Sequence, residues 1–101
     1  MEKIDVTLIH KALANPIRRE ILHWLRTPEV YFPDQEIPLE LGVYAATIDR
    51  RCGLAQSTVS AHFSVLTRAG LVTSRRVSAS VCFKRNKIVL RAFVQHMNAE
   101  L

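Results

Sequence analysis

A chain of 101 residues, 49% of them apolar and with no low-complexity tract, fits one folded domain and argues against a disordered chain. Fourteen Lys and Arg against nine Asp and Glu leave a formal charge of +5, which suits a polyanionic partner without identifying one. No run of roughly eighteen uncharged apolar residues occurs, MEKIDVTLIHKAL holds only a very short apolar patch between charges, and Cys52 and Cys82 lack CxxC spacing, so a cytoplasmic protein with reduced thiols is expected rather than a secreted or membrane-spanning one.

Ile4, Leu8, Ile9, Ala12 and Leu13 recur at helical spacing, and Asn15 followed by Pro16 closes this first helix and opens a second. The second runs from about Pro16 to Arg26. Proline is acceptable at its first position, Ile17, Ile21, Leu22 and Leu25 form one stripe with Trp24 at its border, and Arg18, Arg19 and Glu20 lie largely outward. From Thr27 to Val43 three prolines and a glycine are too dense for a long helix, so the segment reads as a loop with one short extended piece. Its Tyr31, Phe32 and Pro33 are open to two readings, a packed surface loop or the wall of an effector pocket.

The next helix, about Tyr44 to Cys52, offers Ala45, Ile48 and Cys52 as its inner face; Gly53 supplies the left-handed residue that ends it, and Leu54 plugs the turn. From Gln56 to Ala69, Val59, Phe63 and Leu66 form a narrow anchoring stripe. The opposite face is Ser57, Ala61, Ser64 and Arg68, with Ser60 beside it. An unconstrained surface helix usually carries Glu and Lys, whereas this one has small hydroxyls, no acid and one arginine. Small side chains allow close approach to base edges, hydroxyls donate to phosphates or pair with bases, and Gln56 near the helix start suits a bidentate contact with adenine. The positive end of the helix dipole favours a nearby phosphate. Standing alone, the helix reads first as a merely Ser-rich amphipathic one.

Leu71 to Arg76 and Ser80 to Arg85, separated by Val77 to Ala79, form a hairpin that supplies the missing context. Arg75 and Arg76 near its tip are expected to meet phosphates or the minor groove. Lys84 and Arg85 at the far end are open to the same role or to that of charges guarding an edge strand. In the last helix, about Asn86 to Glu100, Ile88, Val89, Phe93, Val94 and Met97 crowd more apolar surface than one helix of a small domain needs. Pairing with a twin and packing on the first helix both account for it.

LANPIRREILHWL resembles the opening helix pair of the ArsR/SmtB-type winged-helix repressors, and CGLAQSTVSAHFSVLTRAGLV is similar to their recognition segment almost position for position. The resemblance covers essentially the whole chain. It implies a mainly α fold of about five helices plus a two-stranded wing, in one domain 1–101: dimerisation helices 1–14 and 86–101, a helix-turn-helix 44–69 and a wing 71–85. It further implies a homodimer, with Ile4 and Leu8 joining Ile88, Val89, Phe93, Val94 and Met97 at the interface, and a recognition helix entering the major groove of each half of an inverted repeat. Positions matching Gln56, Ser57, Thr58, Ser60 and His62 lie on or beside the DNA-reading helix, His62 being equally readable as a packed residue. With Ala61, Ser64, Arg68, Arg75 and Arg76 they make up the expected DNA-binding set.

The chain departs from the family pattern in three places. Ala55 stands where a Ser or Thr usually caps the recognition helix, at a cost of roughly 1 kcal/mol. Ser78 and Ala79 replace the Gly and basic residue of the wing tip. Metal-sensing relatives place paired cysteines before the recognition helix, or carboxylate and His ligands on the last helix, but YAATIDRRCG has one thiol, so no metal or cofactor is expected. His96 and Glu100, four apart, read as a solvated polar face or a weak intersubunit site; His10 and His23 lack ligand spacing. Cys52 is open to two readings, a thiolate favoured by Arg50 and Arg51 or an inert thiol on the apolar stripe. With no glycine-rich loop, no nucleophile with a base and no apolar-set carboxylate pair, an enzyme is not expected. The expected function is a homodimeric repressor released by an unidentified signal. The competing readings are a winged-helix module for protein or RNA contacts and a thiol-based redox-responsive repressor.

Overall fold

The computed structural model describes residues 3–101 as α1 (Val6–Leu13), α2 (Pro16–Arg26), α3 (Pro28–Tyr31), a one-turn 3-10 helix (Leu39–Leu41), β1 (Val43–Tyr44), α4 (Ala45–Cys52), α5 (Gln56–Arg68), β2 (Val72–Val77), β3 (Ser80–Arg85) and α6 (Lys87–Glu100). Three helices begin at short polar side chains, which take up amide protons that would otherwise lack partners. Asp5 Oδ1 accepts from the Leu8 N–H at 3.0 Å, Asn15 Oδ1 from Ile17 and Arg18 at 2.8 and 3.2 Å, and Asn86 Oδ1 from Val89 at 3.3 Å. Pro16 follows its cap at the first helical position, as the sequence implies. Arg19 and Glu20 are exposed as expected, whereas Arg18 is half-buried, and both arginines reach back to the preceding helix. Their guanidiniums donate to Ala12 O at 2.7 Å and Leu13 O at 2.6 Å, covering carbonyls that the end of α1 leaves free.

The loop expected over 27–43 is more ordered than its prolines suggest. Pro28 opens one turn of helix, because its fixed φ suits a first helical residue. The Gln35 side chain then ties the rest together, donating to Gly42 O at 2.8 Å and accepting from the Tyr44 N–H at 3.0 Å. Val43 and Tyr44 pair with Phe83 and Cys82, so the wing is three-stranded in the order β1-β3-β2 rather than two-stranded. Two residues are too few to show the alternation that reveals a strand.

Gly42 makes this pairing possible. Its φ is +107°, and a Cβ there would lie 3.0 Å from Phe83 O and 3.1 Å from Cys82 Cβ. Gly42→Ala is therefore expected to destabilise the protein by about 2 kcal/mol or more, from backbone strain and collision with a strand that cannot yield. Urea unfolding of the two proteins checks this.

One core joins all the major elements. Ile9 and Ala12 of α1, Ile21, Leu22 and Leu25 of α2, Ile48 of α4 and the α5 stripe of Val59, Phe63 and Leu66 meet Leu71 and Val72 at the start of the wing. Phe63 stacks on Phe83 with ring centroids 3.8 Å apart and 12° between planes, fixing the recognition helix to the wing. Arg51 is a structural cation, its guanidinium 5.1 Å from the Trp24 ring and 4.8 Å from that of Tyr31, which holds α4 against α3. Leu54 does not plug its turn as expected but is 38% exposed.

The apolar residues of α6 divide between two surfaces. Val89 and Phe93 enter the protomer's own core, Phe93 meeting the His10 ring edge-on at 5.4 Å, whereas Ile88 and Val94 are 64% and 55% exposed. Packing on the chain's own core thus accounts for Val89 and Phe93, which were expected at an intersubunit interface, and leaves Ile88 and Val94 without cover in the protomer.

Candidate nucleic-acid interface

Gly53, at φ +67°, ends α4, and α5 starts three residues later at Gln56. Ala55 offers no capping side chain, as expected, and α5 contains no acidic residue in its first turn. Because Val59, Phe63 and Leu66 are drawn into the core, the helix is held broadside with its opposite line in solvent. Ser57, Ala61, Ser64 and Arg68 run along that exposed line. Gln56 and Ser60 lie exposed on the flank toward the wing, and Thr58 on the other flank.

Two concavities border the helix. One, between α5 and the wing, is lined by Ser60, Phe63, Ser64, Thr67, Arg68 and Phe83. Thr67 escaped the sequence reading although it follows Ser60 and Ser64 at helical spacing, which is the signal that could have found it. The other concavity joins Gln56 to Arg50 of α4 and to Ala79 and Ser80 at the wing tip. Arg50 was legible only as a possible influence on Cys52; its neighbourhood with Gln56 comes from the way α4 crosses α5.

The wing arginines are both exposed but face opposite ways. Phe83 points to α5, and Ser74 is its cross-strand partner. Side chains alternate along a strand, so Arg76 shares the helix-facing side and Arg75 the far side, with Cys82 opposite it. At the tip, Ser78 takes φ +58°, a conformation that ordinarily selects glycine, and completes a two-residue turn. Lys84 is exposed at the wing base, but Arg85 is half-buried and donates to Leu22 O at 2.9 Å, closing the end of α2 rather than guarding an edge.

His62 occupies the flank facing α2, half-buried, with Nδ1 at 3.2 Å from Arg18 Nη1. A guanidinium only donates, so Nδ1 accepts and the neutral ring carries its proton on Nε2. This is the packed reading of His62. Burial and the Arg18 charge both lower its pKa below the usual imidazole value. An unfolded histidine titrates near about 6.5, and below that pH the unfolded chain takes up a proton that folded His62 resists. Stability is therefore expected to be undiminished above that value and to fall as pH drops through it toward the lower folded pKa. His62→Gln should flatten that part of the curve, checked by urea midpoints at neutral and mildly acidic pH.

Neither cysteine has the environment of an activated thiol. Burial and then the Asp49 charge push the Cys52 thiol up, which favours the inert reading over the thiolate one, and Arg51 is turned onto the aromatic rings. Cys82 is buried, which raises its pKa against a weaker opposing pull from Arg75. Among the described residues no three His, Cys, Asp or Glu side chains converge on a metal position, and no helix is long and apolar enough to cross a membrane.

Comparison with known proteins bears on this surface. Residues 39–75, from the 3-10 turn through α4 and α5 into β2, match the helix-turn-helix domain family. The chain is 32% identical over 103 residues to YbzH of Bacillus subtilis, described as an HTH-type transcriptional regulator, and the match spans the full length of both. Among solved structures, the chain is similar to the winged helix-turn-helix DNA-binding domain of Mb0332 from Mycobacterium bovis, described as homodimeric and as a possible ArsR-family transcriptional regulator. The TM-score is 0.66 at 25% identity, covering 93% of this chain and 76% of that one. HlyU from Vibrio cholerae shares the fold, with a TM-score of 0.63 at 24% identity over 93% of this chain and 89% of that one.

Proposed function

The chain belongs to the ArsR-type winged helix-turn-helix transcriptional regulators, and from that premise we propose that it is a homodimeric repressor whose paired recognition helices read an inverted-repeat operator. The observation that carries this reading is the solvent-facing line of α5. Ser57, Ala61, Ser64 and Arg68 stand clear of the core with no acidic side chain in the helix, so the backbone can approach base edges while hydroxyls and one cation meet phosphates. The uncapped start of α5 belongs to the same surface. With no side chain in the way at Ala55, the first amides are free to take a phosphate oxygen, and the capping energy forgone in the free protein is regained on DNA.

Gln56, Ser60 and Thr67 line the wing side of this reading head, Thr58 the other, and Arg76 extends it toward the flanking backbone. Arg75 serves phosphates from the far side of the wing. His62 acts at the rim, ordering Arg18. The dimer is built on what the protomer leaves uncovered: Ile88 and Val94 of α6, with Ile4, Leu8 and Met97 half-buried beside them. Val89 and Phe93 support that surface from beneath.

Competition binding tests the proposal. An inverted repeat selected from random duplexes should bind tighter than unrelated duplex by about a thousandfold or more, and both affinities should fall as salt rises. Light scattering should give a dimer at micromolar concentration. Equal affinity for both duplexes, or a stable monomer, overturns the reading in favour of a module for other contacts.

A further inference from the structure

At the base of the wing, where α2 ends, α3 begins and β3 passes into α6, lies a cavity of about 320 Å³ that DNA recognition does not use. Arg26, Lys84, Arg85 and Lys87 bring four cations to its walls, from α2, β3 and the first residue of α6. Two carboxylates, Glu29 and Glu40, come from α3 and the 3-10 turn. Leu25 and Val43, both buried, and half-buried Phe83 supply apolar lining.

We propose that this cavity binds a small organic monocarboxylate, its carboxylate between Arg26 and Arg85 and its apolar body against Leu25 and Phe83. Arg85 is preset for this role. Its Nη1 is spent on Leu22 O, which orients the half-buried guanidinium while leaving the other N–H donors of the fork for a planar anion. Burial and the neighbouring Arg26 charge both lower its pKa, so a carboxylate placed between the two guanidiniums relieves their repulsion. Lys84 and Lys87 add attraction at the rim. Glu29 and Glu40 make the same walls unfavourable to a dianion, and the apolar lining gives a bare inorganic ion nothing to displace.

Such a ligand would touch β3 and the start of α6 together, and so would join the wing to the surface proposed for dimerisation. That consequence rests on the repressor reading above, whereas the binding itself is measured on DNA-free protein, so failure of either leaves the other standing.

Amide-shift titration of the full chain with sodium benzoate, and separately with inorganic phosphate at matched ionic strength, tests the site. Benzoate should give saturable shifts confined to residues 25–29, 39–43 and 83–88. Phosphate should give only weak shifts spread over the basic surface. Arg26→Gln, at an exposed position, should weaken benzoate binding by about tenfold or more with the spectrum otherwise unchanged, and Lys87→Gln should weaken it less. Non-saturating benzoate shifts, unchanged affinity in Arg26→Gln, or tighter binding of phosphate than of benzoate would each overturn the assignment.

Discussion

Ser60→Glu should abolish preferential binding to the inverted repeat while leaving the fold intact. Ser60 is exposed on the flank of α5 that faces the wing, in the concavity it shares with Ser64, Thr67 and Arg68. A carboxylate there meets the phosphate backbone at close range, and like-charge juxtaposition in an interface costs several kcal/mol, which at about 3 kcal/mol is a loss of more than roughly a hundredfold in affinity. The protomer itself has no reason to object. The side chain is exposed, and glutamate is a better helix former than serine, so thermal stability should hold or rise slightly. Ser60→Gln separates charge from size, since it fills the same space and should keep much of the binding. A Ser60→Glu protein with wild-type operator affinity would mean that this helix does not face DNA.

Phe63→Ala should give the largest loss of stability of any substitution in the recognition helix. Phe63 is only 4% exposed and stacks on Phe83, so its removal forfeits buried apolar area, leaves a cavity and breaks the contact that orients the wing against α5. Losses of about 3–5 kcal/mol are usual for a buried phenylalanine, out of a total that for a small domain is commonly about 5–15 kcal/mol. The urea midpoint should fall accordingly, and operator binding should weaken even where the protein remains folded, because Arg76 would no longer be held beside the helix. Val30→Ala is the internal control. At 64% exposure its loss should lie within about 0.5 kcal/mol. A cost below about 1 kcal/mol for Phe63→Ala would show that the wing is positioned by something other than this stack.

The elements that were legible in the sequence are those whose signals are local. Asn15–Pro16, Gly53 and Asn86 mark helix boundaries by their own backbone preferences, and the spacing of Val59, Phe63 and Leu66 alone decides which face of α5 turns outward. β1 was not legible, because two residues carry no alternation and their pairing with β3 depends on Gly42 allowing a close approach. Nor was α3, whose four residues lie among prolines that read as punctuation.

Charges were the least readable feature. Arg18, Arg51 and Arg85 look alike in sequence to Arg68 and Arg76, yet the first three spend their guanidiniums on carbonyls and aromatic rings inside the protomer. Arg18 reaches back six residues to Ala12 O, while the partners of Arg51 and Arg85 lie tens of residues away, and no local pattern announces any of them. Cys52 follows the same rule. Its sequence neighbours Arg50 and Arg51 left a thiolate open beside the inert thiol of the apolar stripe, and the groups that act on it in space, its own burial and Asp49, favour the inert one.

By itself the sequence determined the helix-turn-helix, the outward line of α5 and the family, because periodicity, caps and turn residues act over a few positions. Only the tertiary structure decided which cations remain available to a partner and which apolar residues of α6 the protomer consumes. Those outcomes depend on which distant segments compete for each side chain, and that competition is resolved only when the chain packs.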